Sequence, residues 1–196
     1  MEPTGMGKGR VEAFSDGVIA IIVTIMILEL RTPSEPTLRA LLKIAPSYLS
    51  YLLSFLVVAI MWVNHHHFMH AAREVNARLL WLNMNLLFWM SLVPFVTDFM
   101  GKNHSQPFPV ALYGLALACC SVSFLLLRAE LVRQCRDLPE LAEYHSKVLR
   151  KNAFSLFLYL LSAALAYIRV EVAYAIFIMV AGSYFLPEKR LTESAG

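Results

Sequence analysis

The chain has 196 residues, with 17 basic and 14 acidic side chains making up 16% of it, well under the roughly 25% of an ordinary soluble domain. Hydrophobic residues reach 58% and mean hydropathy is +0.58; no charge lies between Lys43 and Arg73, and Asp16 alone interrupts the stretch from Ala13 to Leu28. A bilayer core of ~30 Å needs about 20 mostly apolar residues per helix, so a soluble enzyme, a disordered regulator and a nucleic-acid module are excluded. The composition implies an all-α, multi-pass membrane protein.

In chain order, six spans are predicted near 11–30, 46–68, 79–100, 108–127, 153–168 and 170–186, forming one domain over residues 1–196. The first ends at Glu29–Arg31, with Pro33 and Pro36 as helix stops beyond it. The second opens after Pro46 and closes in a histidine cluster, and Arg73, Glu74 and Arg78 make the turn to the third. Gly101, Lys102, Asn103 and Pro107 separate the third span from the fourth. The stretch 128–151, the longest polar segment, leads into the fifth. Only Arg169 and Glu171 divide the last two apolar runs, so a single long kinked helix competes with two separate ones there. Met1–Gly9 is too short and polar for a cleaved signal sequence, so the first span is expected to stay in the mature protein.

Charge orients these spans. With six of them, both termini and the 2–3 and 4–5 loops share one side and carry 12 of the 17 basic residues; Arg31, Arg39, Lys43, Lys102 and Arg169 lie opposite. The positive-inside rule places both termini in the cytoplasm, and the net charge of +3 needs no anionic partner to explain it. Cys119, Cys120 and Cys135 read as small buried residues, not as a disulfide framework or thiolate metal site.

The first span has two faces. On a helical wheel at about 100° per residue, Arg10, Phe14, Gly17, Ile21, Ile25 and Leu28 fall within about 40° of one line, with Thr24 about 60° to one side. Ser15 and Asp16 lie on the back, about 120° and 140° away. An ionised Asp within the membrane costs at least ~2.5–3.5 kcal/mol near the centre and requires protein or water around it. Trp62, Asn64, His65, His66 and His67 close the second span at the same depth, so a polar knot between helices 1 and 2 follows from satisfaction alone. A packing network is the favoured reading of that knot over a proton relay. His66 and His70 have the spacing of two ligands on one face, but no third or fourth ligand accompanies them and no metal site is expected; a cluster titrating near neutral pH is the better reading. No catalytic motif or phosphate-binding loop is present, and an enzyme is not expected.

Arg10-x-x-x-Phe14-Ser15-Asp16 at the start of the first span resembles the RxxxFSD signature of the transmembrane-protein-175 family of potassium channels. Thr24-Ile-Met-Ile-Leu28, Trp62-x-Asn64-His65-His66-x-x-x-His70 and Leu92-Val-Pro94-Phe95 fit as well, whereas the last three spans carry no diagnostic motif. The resemblance implies a six-helix subunit in a homotetramer, with helix 1 lining a central pore and aliphatic side chains as the constriction. Ile21, Ile25 and Leu28 then correspond to the constriction layers, with Thr24 close by, and Arg10, Phe14, Ser15, Asp16, Trp62, Asn64 and His65 or His66 to the network holding helix 1. The chain agrees in lacking a TVGYG-like filter. On this reading the protein is a potassium-selective, leak-like channel in the plasma membrane. Its partners are other copies of itself and membrane lipids, with no cofactor beyond permeant potassium ions. The rivals are a secondary transporter coupled to protons through Asp16 and the helix-2 histidines, and a non-conducting scaffold. A transporter typically shows internal repeats and broken helices near the midplane; here helix 1 has no proline and only Gly17 inside, and no halves of the chain resemble each other.

Overall fold

The computed structural model describes residues 7–72, 74–134 and 139–184, with the backbone alone for 139–145. Arg73, Cys135 and the end of the sixth expected span lie outside the described residues. Among the described residues every regular element is helical: α1 (Lys8–Leu28), α2 (Leu38–Lys43), α3 (Ala45–Ala71), α4 (Ala77–Ser91), α5 (Val93–Lys102), α6 (Pro107–Gln134), α7 (Pro139–Leu165) and α8 (Val170–Ser183).

Local chemistry sets the boundaries. Asn76 caps α4 by accepting the Leu79 N–H on its side-chain oxygen at 2.8 Å. Thr37 does the same for the short α2 at 3.2 Å. Pro46 sits in the first turn of α3, where its missing N–H costs nothing. Pro94 acts in the middle of the third span. It cannot donate into the preceding turn, so α4 ends and α5 begins again after the single residue Leu92, and Ala77–Lys102 crosses as one kinked span.

Among the described residues, five segments are long and apolar enough to cross a membrane: α1, α3, the α4–α5 pair, α6 and Ser146–Leu165 of α7. The sixth expected span is the 14-residue α8, about 21 Å at 1.5 Å per residue. It is separate from α7. Arg169 is extended (φ −152°, ψ 118°), and the chain doubles back so that the Tyr184 hydroxyl donates to Asn152 Oδ1 at 3.1 Å and pairs with Ser155 Oγ at 3.1 Å. The polar stretch 128–151 departs from expectation. It is mostly helix, because α6 runs on to Gln134 and α7 starts at Pro139. Leu131 is fully buried, and Arg133 pairs with Glu130 one turn earlier, which supports the extension.

The helices pack around α6, which meets α3, α4, α5, α7 and α8; α1 lies at the edge against α3, α4 and α5. Between membrane helices, packing and hydrogen bonds replace the hydrophobic drive, and both are visible. A Cβ on Gly114 would stand 2.9 Å from Ser162 Oγ and 3.2 Å from the Tyr159 carbonyl, so only glycine lets α6 and α7 approach this closely. Gly101 serves α5 and α3 likewise, 2.9 Å from Ser47 Cα. Thr97 donates to Ser54 Oγ at 2.8 Å and Ser54 to the Tyr113 oxygen at 3.0 Å, a buried chain that joins α5, α3 and α6. Cys120 is buried and Cys119 half-buried, both as free thiols.

Candidate functional site

α1 is divided lengthwise. Val11, Ser15, Ile19, Ile22 and Met26 are buried against the body, while in the single chain Phe14, Ile21, Ile25 and Leu28 are 55%, 57%, 40% and 80% exposed. Arg10, Gly17 and Thr24 lie on the same exposed side, and Thr24 donates only to its own helix, to the Ile21 carbonyl at 2.9 Å. The buried face is therefore the one that carries Ser15, and the aliphatic stripe points away from the subunit.

The polar anchors all lie in the first half of α1. Lys8 Nζ donates to the His70 and Ala72 carbonyls at 2.8 and 2.9 Å, covering the C-terminal carbonyls of α3 with a cation that also suits the helix dipole. His66 Nδ1 stands 3.5 Å from Glu12 Oε1. Trp62 Nε1 donates to Asp16 Oδ1 at 2.9 Å. The deepest tie is indirect. Asn83 Nδ2 donates to Ser15 Oγ at 2.9 Å, Ser15 donates to the Val11 carbonyl at 2.8 Å, and Asn83 Oδ1 lies 2.7 Å from His65 Nε2. Ser15, Asn83 and His65 are completely buried.

The directions of these bonds settle the chemistry. Because the amide oxygen of Asn83 can only accept, His65 carries its proton on Nε2. Donors then run His65 to Asn83 to Ser15 to a backbone carbonyl. His65 Nδ1 has no hydrogen-bond partner among the described residues. A chain that passes through an amide and ends on a carbonyl holds helices together but offers a proton no onward acceptor.

The single knot expected around Asp16 is thus several separate ties. Trp62 joins Asp16 directly, His65 reaches Ser15 through Asn83, and His66 meets Glu12. Asn64 is not brought to α1; it donates back to the Ile60 carbonyl of its own helix at 2.8 Å. The Arg10 side chain is exposed, and Phe14 faces outward. Sequence reasoning missed Asn83, Glu12 and Lys8. Asn83 had a signal, since an amide within an apolar span requires a partner, whereas Glu12 and Lys8 looked like ordinary charges at a helix end.

Beyond Asp16, α1 meets the described residues of the body through apolar side chains, and an open groove of about 430 Å³ runs along its C-terminal half. Val18, Ile21, Ile25 and Glu29 line one wall, and Ser91, Pro94, Phe95 and Asp98 at the α4–α5 kink line the other. Asp98 pairs with Lys102 at 2.6 Å.

The fold and this anchored N-terminal helix define a multi-pass α-helical membrane protein whose first helix holds one aliphatic face free. Comparison with known proteins gives the family. Residues 10–94 match the family model described as endosomal/lysosomal potassium channel TMEM175. A protein described as a potassium channel from Chryseobacterium sp. (strain P1-3) is 40% identical over 190 residues, 96% of this chain and 98% of that one. Another from Chamaesiphon minutus is 33% identical over 180 residues, 86% of this chain and 88% of the other. The crystal structure of a lysosomal potassium-selective channel TMEM175 homolog from Chamaesiphon minutus superposes with a TM-score of 0.81 at 26% identity, covering 90% of this chain and 95% of that one. The chain belongs to the TMEM175 family.

Proposed function

We propose that this chain is the subunit of a potassium-selective cation channel in the plasma membrane, assembled as a homotetramer with α1 lining a central pore. Its relatives' descriptions as potassium channels support the ion, and the carrying observation is the division of α1. Ile21, Ile25 and Leu28 form an exposed aliphatic stripe on a helix whose opposite face is fixed to its own subunit. Four such stripes around an axis make a hydrophobic neck, with Thr24 the nearest hydroxyl. No ligand in that neck replaces an ion's water, so passage depends on width and on the cost of partial dehydration, which is lower for potassium than for sodium. Ser15 and Asp16 of α1, with Trp62, His65 and His66 of α3, act as positioning residues that set the rotation of the stripe. The positive-inside asymmetry places both termini in the cytoplasm.

The proton-coupled transporter finds less support. α1 is continuous from Lys8 to Leu28, the break at Leu92 is a one-residue proline kink, and the buried His65 chain ends on a carbonyl. The deciding experiment is a planar-bilayer recording of the purified protein under a potassium/sodium gradient. Single-channel steps with a reversal potential near that of potassium are expected. Fixed-stoichiometry flux without steps would favour the transporter, and no conductance over several voltages and pH values would favour the scaffold.

A further inference from the structure

At the end of the bundle that holds Lys8 and the C-terminus of α3, a carboxylate is buried where α4 begins and α6 ends. The Glu130 side chain is 1% exposed. Arg133 grips it with two donors, Nη2 to Oε1 at 2.8 Å and Nε to Oε2 at 3.1 Å. Arg78 Nε stands 3.3 Å from Oε2, and the Asn76 amide donates to Oε1 at 3.3 Å. Among the described residues, Glu130 stands between two guanidinium groups, so these three side chains together carry a charge of +1. Both arginines also remain open outward, their side chains 65% and 51% exposed. Like charges normally spread apart; here a shared buried anion holds two planar forks side by side. Among the described residues Arg78 meets Glu130 through Nε. Gln134, at the end of α6, donates through Nε2 to the backbone carbonyl of Glu74 at 3.3 Å.

The depth suits a headgroup. The apolar run of α6 ends at Leu127, so Glu130 lies about 5 Å further along the helix. Trp81, one turn from Arg78 on α4, is 74% exposed and is the kind of residue that sits at the membrane–water boundary. We infer that Arg78 and Arg133, pinned by Glu130, form a two-guanidinium clamp for a phosphate group at the membrane surface, of the kind an anionic lipid headgroup presents. Guanidinium forks match phosphate oxygens in pairs, and the first turn of α4 adds the positive end of a helix dipole.

The test titrates the detergent-solubilised full-length protein with phosphatidylglycerol and, separately, zwitterionic phosphatidylcholine, and counts bound lipid by native mass spectrometry. Phosphatidylglycerol should be retained preferentially, and R78Q or R133Q should each weaken that preference about fivefold. The pair E130Q/R78Q guards against misfolding, because it leaves no buried carboxylate and preserves the cluster's net charge. If two forks are required, E130Q/R78Q also loses about fivefold; a preference kept at the wild-type level overturns the clamp. A parallel thermal-shift series with inorganic phosphate separates the sources. Stabilisation of the wild type but not of R78Q/R133Q, without any lipid preference, assigns the clamp to free phosphate. No response to either ligand overturns it.

Discussion

α1 and α6 are both apolar helices of crossing length, yet two thirds of the most apolar window of α6 is buried (67%), against 28% for α1. α6 meets five other helices and leaves exposed only a narrow stripe through Leu115, Val122 and Leu126. A helix hydrophobic all round reads as central, but its pattern names no partner and no orientation. α1 spends its polar residues on one side and keeps an aliphatic stripe on the other. On the proposed function, scaffold and working surface sit on different helices and damage to them should be separable: lesions in α6 should remove the protein, whereas lesions on the stripe of α1 should alter what it does.

The strongest challenge to that division compares two glycines. Gly114→Leu forces a side chain into the α6–α7 contact, where even a Cβ would be 2.9 Å from Ser162 Oγ. Overpacking of this kind costs about 1–3 kcal/mol or more, so the purified yield and thermal midpoint should collapse. Gly17→Ala on α1 meets nothing within 4 Å and should leave the midpoint unchanged or slightly raised, since alanine is the better helix former. Equal losses from both would mean that α1 is packed as fully as α6.

Next in size is the buried tie of α1 to α4. Asn83→Leu removes both amide bonds, to Ser15 and to His65. Interhelical hydrogen bonds in membranes average about 0.6 kcal/mol and reach about 1.7, so a loss of about 1–2 kcal/mol is expected in denaturation of the reconstituted protein. A double-mutant cycle with Ser15→Ala should show coupling, and strict additivity would mean that Ser15 is held by packing alone.

What was legible follows the same contrast. The helical class, five of the six spans and the two faces of α1 came from periodicity and from the cost of burying charge, which are local properties. Asp16 announced a partner, and Trp62 was among the few available at its depth. Asn83 was not found because its role depends on which face of α4 meets α1, a tertiary fact that an isolated amide does not encode. The extension of α6 through Arg128–Gln134 was hidden for a related reason: the segment looks solvated until the burial of Leu131 and the Glu130 pairs is known. The close approach at Gly114 was equally silent, since a glycine in an apolar run does not say which helix will come near it.

A smaller effect belongs to the exposed tie. Asp16→Ala leaves the Trp62 indole N–H without its acceptor, and the loss should be about 0.5–1.5 kcal/mol. Asp16→Asn keeps an acceptor oxygen and should recover most of it. If the tie sets the rotation of α1, Asp16→Ala should also change conductance more than Asp16→Asn does. Identical stability for the wild type and both variants would show that Asp16 reaches water instead.

The smallest effect on folding is paired with the largest expected effect on conduction. Ile21 and Ile178 are matched in the single chain, at 57% and 62% exposed, the first on the stripe of α1 and the second on α8. Truncating either to alanine removes no buried contact, so each should shift stability by less than about 0.5 kcal/mol. Ile22, one residue along, is no neutral comparison, because it is 3% exposed and its truncation would damage the core. If four Ile21 side chains form the neck, Ile21→Ala widens it and Ile21→Asn wets it. Either change lowers the dehydration an ion must undergo. Conductance should then rise while the reversal potential under a potassium/sodium gradient moves toward zero, because selectivity that comes from dehydration is lost when ions keep their water. Ile25→Ala and Leu28→Ala should follow the same trend more weakly if Ile21 is the narrowest layer, and Ile178→Ala should leave both quantities at their wild-type values. Equal responses at Ile21 and Ile178 would show that the stripe faces lipid. No response at Ile21, Ile25 or Leu28 would place the ion path elsewhere in the assembly.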